Sequence, residues 1–172
     1  PEQIKALLMN SANTNVFTNP ATAPGGLAPI TRIGAGELRV DRALGRTALA
    51  RNRDAASASL PFGFVEVARR ERLEQELIVE NLSDRPQRFS VDTTFRYADD
   101  AASGAVRIDA PRSITVPARR SARLKVQLHI DADRLPSWTL NGGANGGNGA
   151  LLQGVEFDGY LTLASGNETL SV

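Results

Sequence analysis

Residues 122–130 restrict the fold of this chain more than any other part of the sequence. Apolar and polar side chains alternate there without a break. The apolar set is Leu124, Val126, Leu128 and Ile130, and the polar set is Arg123, Lys125, Gln127 and His129. Alternation with a period of two places the two sets on opposite faces of a β-strand. The segment therefore predicts a strand of an antiparallel sheet that has one face in a core and the other in water.

Further short strands are predicted between residues 58 and 172. Gly, Pro, Asn, Asp and Ser occupy the intervals between the apolar runs, as is typical of turns. We predict these strands at residues 60–67, 74–80, 89–95, 106–108, 114–116, 155–163 and 169–172. Many short strands with almost no helix between them indicate a two-sheet β-sandwich. The predicted fold class is therefore mainly β.

The charge and cysteine content exclude several classes of protein. Lys and Arg total 20 while Asp and Glu total 19, so the net charge of +1 gives no electrostatic basis for binding nucleic acid. No apolar run approaches the roughly 20 residues of a membrane span. The chain has no cysteine, which excludes disulfides, thiolate metal sites and the Cys-Trp-Cys pattern of antibody domains.

The first residues have the pattern of an amphipathic helix over residues 1–12. Ile4, Leu7, Leu8 and Ser11 share one face at helical spacing. Pro is favoured in a first turn, but no Ser, Thr or Asp precedes it here as a cap. We therefore expect the chain to be a fragment that begins inside a helix, and we expect the apolar face of that helix to have lost its packing partners.

A glycine pair, Gly34 and Gly36, follows this helix. A phosphate-cradling loop of the dinucleotide type needs a third glycine, a strand before it and a helix after it. Here Leu38 and Val40 alternate with polar residues, which predicts a strand over residues 34–40. The glycines are then best explained by close approach of two backbone segments where the strand begins.

The intervals around this strand have the composition of loops and of one short helix. Residues 13–32 are rich in Asn, Thr, Pro and Gly and predict an irregular loop. Asp41 is a suitable cap for a short helix over residues 43–49. Residues 51–57 are small and polar, as in a linker.

Few residues qualify as catalytic groups. The single histidine, His129, lies on the polar face of the predicted 122–130 strand, which favours a surface histidine over a catalytic base. Ser11, Ser57 and Ser59 lack the Gly-x-Ser-x-Gly context of a nucleophile elbow. We therefore assign no catalytic residue.

Acidic pairs provide the only candidate metal ligands. These are Asp99 with Asp100 and Asp131 with Asp133. Carboxylate oxygens are calcium ligands, but the spacing is not that of an EF-hand, and loop acids are usually solvated. We predict no cofactor and no metal site, with calcium as the alternative.

Trp138 and the pair Arg119 and Arg120 are two further features of the sequence. Trp138 borders a Gly/Asn-rich tract at residues 141–149 and could stack on a sugar, anchor a partner or close one end of the sandwich core. The closing role is favoured. Arg119 and Arg120 lie between two predicted strands and are interpreted as a solvated corner.

The N-terminal blocks resemble the end of a known catalytic domain. Residues 1–12, Pro-Glu-Gln-Ile-Lys-Ala-Leu-Leu-Met-Asn-Ser-Ala, resemble the last large helix of the catalytic domain of subtilisin-like serine proteases. In that family a variable loop follows, then a Gly-x-Gly-x-(Leu/Val/Ile)-x-Val strand and an Ala-Leu helix. The corresponding blocks here are Gly34-Ala-Gly-Glu-Leu-Arg-Val40 and Ala43-Leu44, in the same order.

The later blocks resemble the fibronectin type III-like domain that large members of the family carry after the catalytic domain. The blocks are Leu77-Ile-Val-Glu-Asn-Leu-Ser-Asp-Arg-Pro86, Ile114-Thr-Val-Pro-Ala118 and Phe157-Asp-Gly-Tyr-Leu-Thr-Leu163. Ser83 and Arg119 stand where the family has turn glycines, and residues 141–149 resemble an insertion.

The resemblance implies a domain order and a function. Residues 1–50 would end a catalytic domain, residues 51–57 would link, and residues 58–172 would form the fibronectin type III-like sandwich. The family's catalytic Asp, His and Ser lie upstream of its last catalytic-domain helix, so this chain alone is not expected to be an enzyme. The implied parent is a secreted or cell-surface serine endopeptidase. Its sandwich would contact the catalytic domain, bracing it or helping to position protein substrates.

An alternative from another class is a binding module of an adhesin or glycan-binding surface protein. In that case Trp138 and residues 141–149 would form the contact surface. The sequence that precedes residue 1 distinguishes the two, because a protease predicts a Gly-Thr-Ser block there and an adhesin predicts further β-repeats.

Overall fold

Two four-stranded antiparallel sheets make up the body of the protein. A computed structural model describes residues 2–19, 21, 25–55, 57–135 and 156–172. In the first sheet the order is β1 (Ala48–Asn52), β2 (Arg70–Asn81), β6 (Ser121–Asp131) and β4 (Val106–Asp109). In the second it is β5 (Ser113–Val116), β3 (Gln87–Phe95), β7 (Gly159–Ser165) and β8 (Glu168–Ser171). The predicted mainly-β sandwich is confirmed.

The core lies between the two sheets. Strand β6 has the predicted alternation in its first half, with Leu124 and Val126 buried and Arg123 and Lys125 exposed. Phe89 from β3 and Leu163 from β7 meet them from the other sheet and are fully buried. Each such side chain contributes about 1.5–3 kcal/mol through its removal from water. The alternation along the strands therefore accounts for the two-layer architecture.

Four helices lie outside the sheets in the described ranges. They are α1 (Glu2–Asn10), α2 (Ile30–Ile33), α3 (Val40–Leu44) and α4 (Ala98–Ser103). A turn of 3-10 helix at Ala132–Arg134 follows β6. The predicted first helix is confirmed, whereas α4 was not predicted. Its sequence, Ala-Asp-Asp-Ala-Ala-Ser, is short and ends at Gly104, which has a φ of +60°.

The predicted strand over residues 34–40 is wrong. Gly34, with a φ of +58°, ends α2, and Glu37 forms only a single bridge to Asn13. The alternation was misleading because Leu38 and Val40 are both exposed, so no sheet face is buried there. The interpretation of close backbone approach holds for Gly36, where a Cβ would lie 2.4 Å from the Asn13 carbonyl oxygen.

The predicted helix over residues 43–49 is also wrong beyond Leu44. The helix α3 starts at Val40 with Arg39 as its N-cap, so Asp41 lies inside the first turn and caps nothing. Ala48 and Leu49 belong to β1 instead, which pairs antiparallel with β2. Pairing with an exposed strand edge satisfies the backbone of this segment, which outweighs the helix propensity of its alanines.

The remaining strand predictions are largely correct. Residues 60–67 form no strand, although Leu60 and Phe62 pack against the core from an irregular segment. The segment around residues 155–163 becomes β7 from Gly159, where a Cβ would lie 2.6 Å from the Thr94 carbonyl oxygen. The other predicted strands correspond to β2, β3, β4, β5, β6 and β8.

Candidate functional site: the docked N-terminal segment

Residues 2–47, which we call the N-terminal segment, pack against one open side of the sandwich. Strands β1 and β8 are the edges of their sheets on that side. Helix α1 covers both edges, and its Ala6 forms a small buried cluster with Leu49 of β1 and Ala58. The expectation that α1 has lost its packing partners is therefore wrong. Its buried face is also different, since Ile4 is 63% exposed.

Asn10, at the end of α1, connects the two sheets. Its side-chain Nδ2 donates to the Ser171 carbonyl of β8 at 2.9 Å, and its Oδ1 accepts from the Ala50 N–H of β1 at 2.8 Å. The side chain is 1% exposed. A second contact joins the same edges, because the Glu168 carboxylate accepts from the Thr47 N–H and hydroxyl. Edge strands expose unpaired backbone groups that invite pairing with other chains, and α1 removes that hazard here.

A buried arginine, Arg96, fixes the loop that follows α1. Its guanidinium donates to three backbone carbonyls, those of Ala28 at 2.5 Å, Thr14 at 2.9 Å and Val16 at 3.0 Å. It also donates to the Tyr160 hydroxyl at 2.8 Å, and its Cζ lies 5.8 Å from the centre of that ring. Arg96 is 9% exposed. One side chain beside the sandwich thus holds the backbone at Thr14, Val16 and Ala28.

Two further groups beside Arg96 hold the same loop. The buried Asp158 carboxylate accepts from the Ile30 N–H, at the start of α2, at 2.6 Å. The Tyr97 hydroxyl donates to the Leu27 carbonyl at 2.9 Å. Burial raises the pKa of the Tyr97 and Tyr160 hydroxyls, so both remain protonated near neutral pH. Arg96, Asp158 and Tyr97 thus hold the described part of the loop through polar contacts.

Asp100 of α4 lies at the edge of this polar cluster. Burial, together with the neighbouring charges of Asp99 and Asp158, raises the pKa of Asp100 to about 6. Its Oδ2 is buried and accepts no hydrogen bond within the described residues. The ionised carboxylate is therefore held at a cost near neutral pH.

Replacing Asp100 with asparagine is expected to stabilise the protein above pH 6. The folded pKa lies above the unfolded value of 3.8, so the stabilising protonation is complete below pH 3.8 and lost as the pH rises through 6. After allowance for solvent screening of this partly exposed group, the gain at pH 7.5 is about 1–2 kcal/mol. Urea unfolding at pH 4, 5, 6 and 7.5 would measure it.

The matched control for this prediction is Asp133→Asn, on an exposed residue of the 3-10 turn. We expect Asp133→Asn to leave the pH dependence unchanged, whereas Asp100→Asn flattens it between pH 4 and 6. Equal pH profiles for the wild type and Asp100→Asn would contradict the prediction.

The N-terminal segment also carries most of the exposed large apolar side chains. Of six such residues in the described ranges, five belong to it and the sixth is Phe64. The five are Ile4, Phe17, Leu38, Val40 and Leu44. Leu44 is 84% exposed, at the end of a five-residue helix. Single exposed apolar residues are ordinary, and these five are distinguished by belonging to one segment of the chain.

The structure places His129 and the candidate serines in different surroundings. The His129 Nε2 lies 3.2 Å from an Asp109 carboxylate oxygen, at ion-pair distance but without hydrogen-bond alignment. The Ser57 and Ser59 hydroxyls bond to each other at 2.8 Å. The Ser11 hydroxyl accepts from Arg46 at 3.1 Å. The described residues thus show no contact between His129 and any of these serines.

The candidate calcium ligands do not converge. Asp131 caps the 3-10 turn and lies within ion-pair distance of Arg70 and Arg134, at 3.5 and 3.9 Å. Asp99 and Asp100 lie on α4. Across the ranges that the structure covers, no three His, Cys, Asp or Glu side chains group as metal ligands would.

The other sequence candidates have simpler settings. Arg119 adopts a φ of 56° in its turn and pairs with Asp84 at 2.8 Å. Trp138 and residues 141–149 lie outside the described residues, so the predictions for them are not tested here. Within the described part of the chain, no helix has the length and apolar content to cross a bilayer.

The sequence did not predict that Asn10, Arg96 and Asp158 hold the N-terminal segment. A single sequence offers no signal for them, since Asn10 meets Ser171 and Arg96 meets Thr14 only after folding. Together with α1 they define a β-sandwich protein whose N-terminal segment is part of the folded unit.

Comparison with known proteins gives structural similarity but no family. No family model matches the chain, and no curated protein matches it. A FixG-related protein from Vibrio parahaemolyticus, known from a crystal structure, is similar over 59% of this chain and 72% of its own chain. The sequence identity is 16% and the TM-score is 0.38. A similarity at this level says nothing about activity.

Proposed function

We propose that this chain is a non-catalytic C-terminal part of a secreted subtilisin-like serine endopeptidase. In this proposal the N-terminal segment ends the catalytic domain, and the fibronectin type III-like sandwich braces that domain or helps to position protein substrates. The single observation that supports it most is that five of the six exposed large apolar side chains in the described residues belong to the N-terminal segment. They lie in the segment that resembles the end of the family's catalytic domain.

The proposal gives each face of the N-terminal segment a partner. Its inner face packs on the sandwich through Ala6 and Asn10. Its outer face, with Leu38, Val40 and Leu44 exposed, would pack on the catalytic domain. Burying such a side chain is worth about 1.5–3 kcal/mol, which is sufficient to hold the two bodies together when several contribute. Bracing then follows, because one segment packs against both bodies.

Leu44→Asp tests the proposal in two settings. In the 172-residue chain Leu44 is exposed, so the free energy of unfolding should change by less than about 0.5 kcal/mol. In a longer protein that includes the encoded sequence upstream of residue 1, the same change should cost about 2–4 kcal/mol. Thermal unfolding of both proteins, followed by protease activity of the longer one, would measure the difference.

The control variant is Phe64→Asp, at the exposed large apolar residue that lies outside the N-terminal segment. It should be close to neutral in both proteins. Equal effects of Leu44→Asp in the two proteins would contradict the proposal, and so would an upstream sequence that encodes β-repeats in place of a Gly-Thr-Ser block.

A further inference from the structure

A small polar cleft lies where the N-terminal segment meets the sandwich. It has a volume of about 170 Å³ and lies between the end of α1, the α3 region and β8. Arg42 and Arg46 line it from the α3 side, and Thr169 lines it from β8. Since a water molecule takes up roughly 30 Å³ in the liquid, the cleft has room for several waters or one small ion.

The charges around this cleft are unbalanced. Its lining includes two guanidinium groups and no carboxylate. Neither Arg42 nor Arg46 has an acidic group within ion-pair distance among the residues that the structure describes. The nearby Glu37 and Glu168 carboxylates accept from Asn13 and from Thr47 instead. Two like charges that face one small space repel each other unless an anion lies between them.

The floor of the cleft is rigid and polar. Asn10 and Ser11 are each 1% exposed. The Ser11 hydroxyl accepts from the Arg46 Nε at 3.1 Å, which orients the guanidinium. No Nη donor of Arg46 has a hydrogen-bond acceptor in the described residues. A guanidinium whose Nε is fixed and whose Nη groups are unbonded is well suited to charge-assisted hydrogen bonds with an oxyanion.

We propose that this cleft binds one small tetrahedral oxyanion, phosphate or sulfate, either as the inorganic ion or as the end of a monoester. The anion would bond to Arg42 and Arg46 on one side and to the Thr14 and Thr169 hydroxyls on the other. Because these residues come from the N-terminal segment and from β8, the bound anion would strengthen the contact between them. The site concerns this chain alone and does not depend on the proposed function.

Thermal unfolding of the 172-residue chain provides the test. The melting temperature is compared in about 20 mM phosphate, sulfate, glycerol phosphate or acetate, each against chloride at equal ionic strength. We expect phosphate and sulfate to raise it by about 3–6 °C relative to chloride. Acetate, which is planar and carries one charge, should raise it less. A rise with glycerol phosphate equal to that with phosphate indicates a site open to monoesters, and a smaller one indicates the inorganic ion.

The double variant Arg42→Gln/Arg46→Gln should lose at least three quarters of this rise. The matched control is Arg72→Gln/Arg123→Gln, which removes the same charge from exposed positions of β2 and β6 outside the cleft and should keep the full rise. The single variant Arg42→Gln leaves the Arg46–Ser11 bond in place. It should still halve the phosphate-induced shifts of the Ser11 and Thr14 amide resonances.

Three results would overturn the proposal. The first is the same melting temperature in phosphate and chloride. The second is an undiminished rise in Arg42→Gln/Arg46→Gln. The third is equal loss of the rise in both double variants, which would assign the effect to net charge and not to the cleft.

Discussion

Replacing Arg96 with methionine is expected to lower the free energy of unfolding by about 3–5 kcal/mol. Methionine keeps the unbranched stem of the side chain but removes the guanidinium and with it every donor. The Ala28 carbonyl then loses its partner, while the Thr14 and Val16 carbonyls keep only the bonds from the Val16 and Ala28 N–H groups, in a site where Arg96 is only 9% exposed. Each hydrogen bond from a charged donor is worth about 1.5–3 kcal/mol. Urea denaturation of the variant and the wild type would measure the difference.

The loss of stability in Arg96→Met should also be visible at particular amides of the loop. Amide exchange should accelerate at Thr18 and Ala28, whose N–H groups bond within the loop held by Arg96. Arg88→Met is the matched control, since Arg88 lies on β3, the strand that ends just before Arg96, and is exposed. A loss below about 1 kcal/mol in Arg96→Met, or an equal loss in Arg88→Met, would show that the loop is held by other contacts.

Asn10→Ala is expected to have the second largest effect, a loss of about 2–3 kcal/mol. The change leaves the Ala50 N–H and the Ser171 carbonyl without their side-chain partner in a buried setting. Amide exchange at Ala50 should accelerate strongly, because that N–H belongs to a strand edge covered only by α1. Hydrogen exchange and urea unfolding would report the two effects.

Asn10→Asp gives a sharper version of the same test. Aspartate can still accept from Ala50, but its second oxygen faces the Ser171 carbonyl oxygen without a proton to donate. We therefore expect Asn10→Asp to be at least as destabilising as Asn10→Ala at pH 7. Gln3→Ala, on the exposed side of α1, is the control. A stable Asn10→Asp variant would contradict the bridging role of Asn10.

The sequence predicted the parts of the fold that depend on local periodicity. Strand β6 was predicted because its alternation reflects burial between two sheets, and Leu124 and Val126 are both buried. The 34–40 prediction failed because Leu38 and Val40 have the same alternation without burial. An alternating pattern indicates burial only where the strand belongs to a sheet whose face packs against a core.

The candidate site depended on contacts that no local pattern encodes. Asn10 lies in a segment predicted to be helical, which is correct, yet nothing in its neighbours indicates the Ser171 carbonyl 161 positions later. From the sequence, Arg96 after a predicted strand has the pattern of an ordinary surface cation. In the structure its partners are backbone carbonyls of a loop 68–82 positions earlier. Tertiary topology decides such contacts, and a single sequence does not reveal it.

The pairing of α1 with β8 also sets an order on biosynthesis. A ribosome adds the Ser171 partner 161 residues after Asn10. Until β8 is made, α1 lacks its contacts with that strand, and a short helix depends on packing for its stability in water. That side of the molecule therefore closes completely only after residue 171 has left the ribosome.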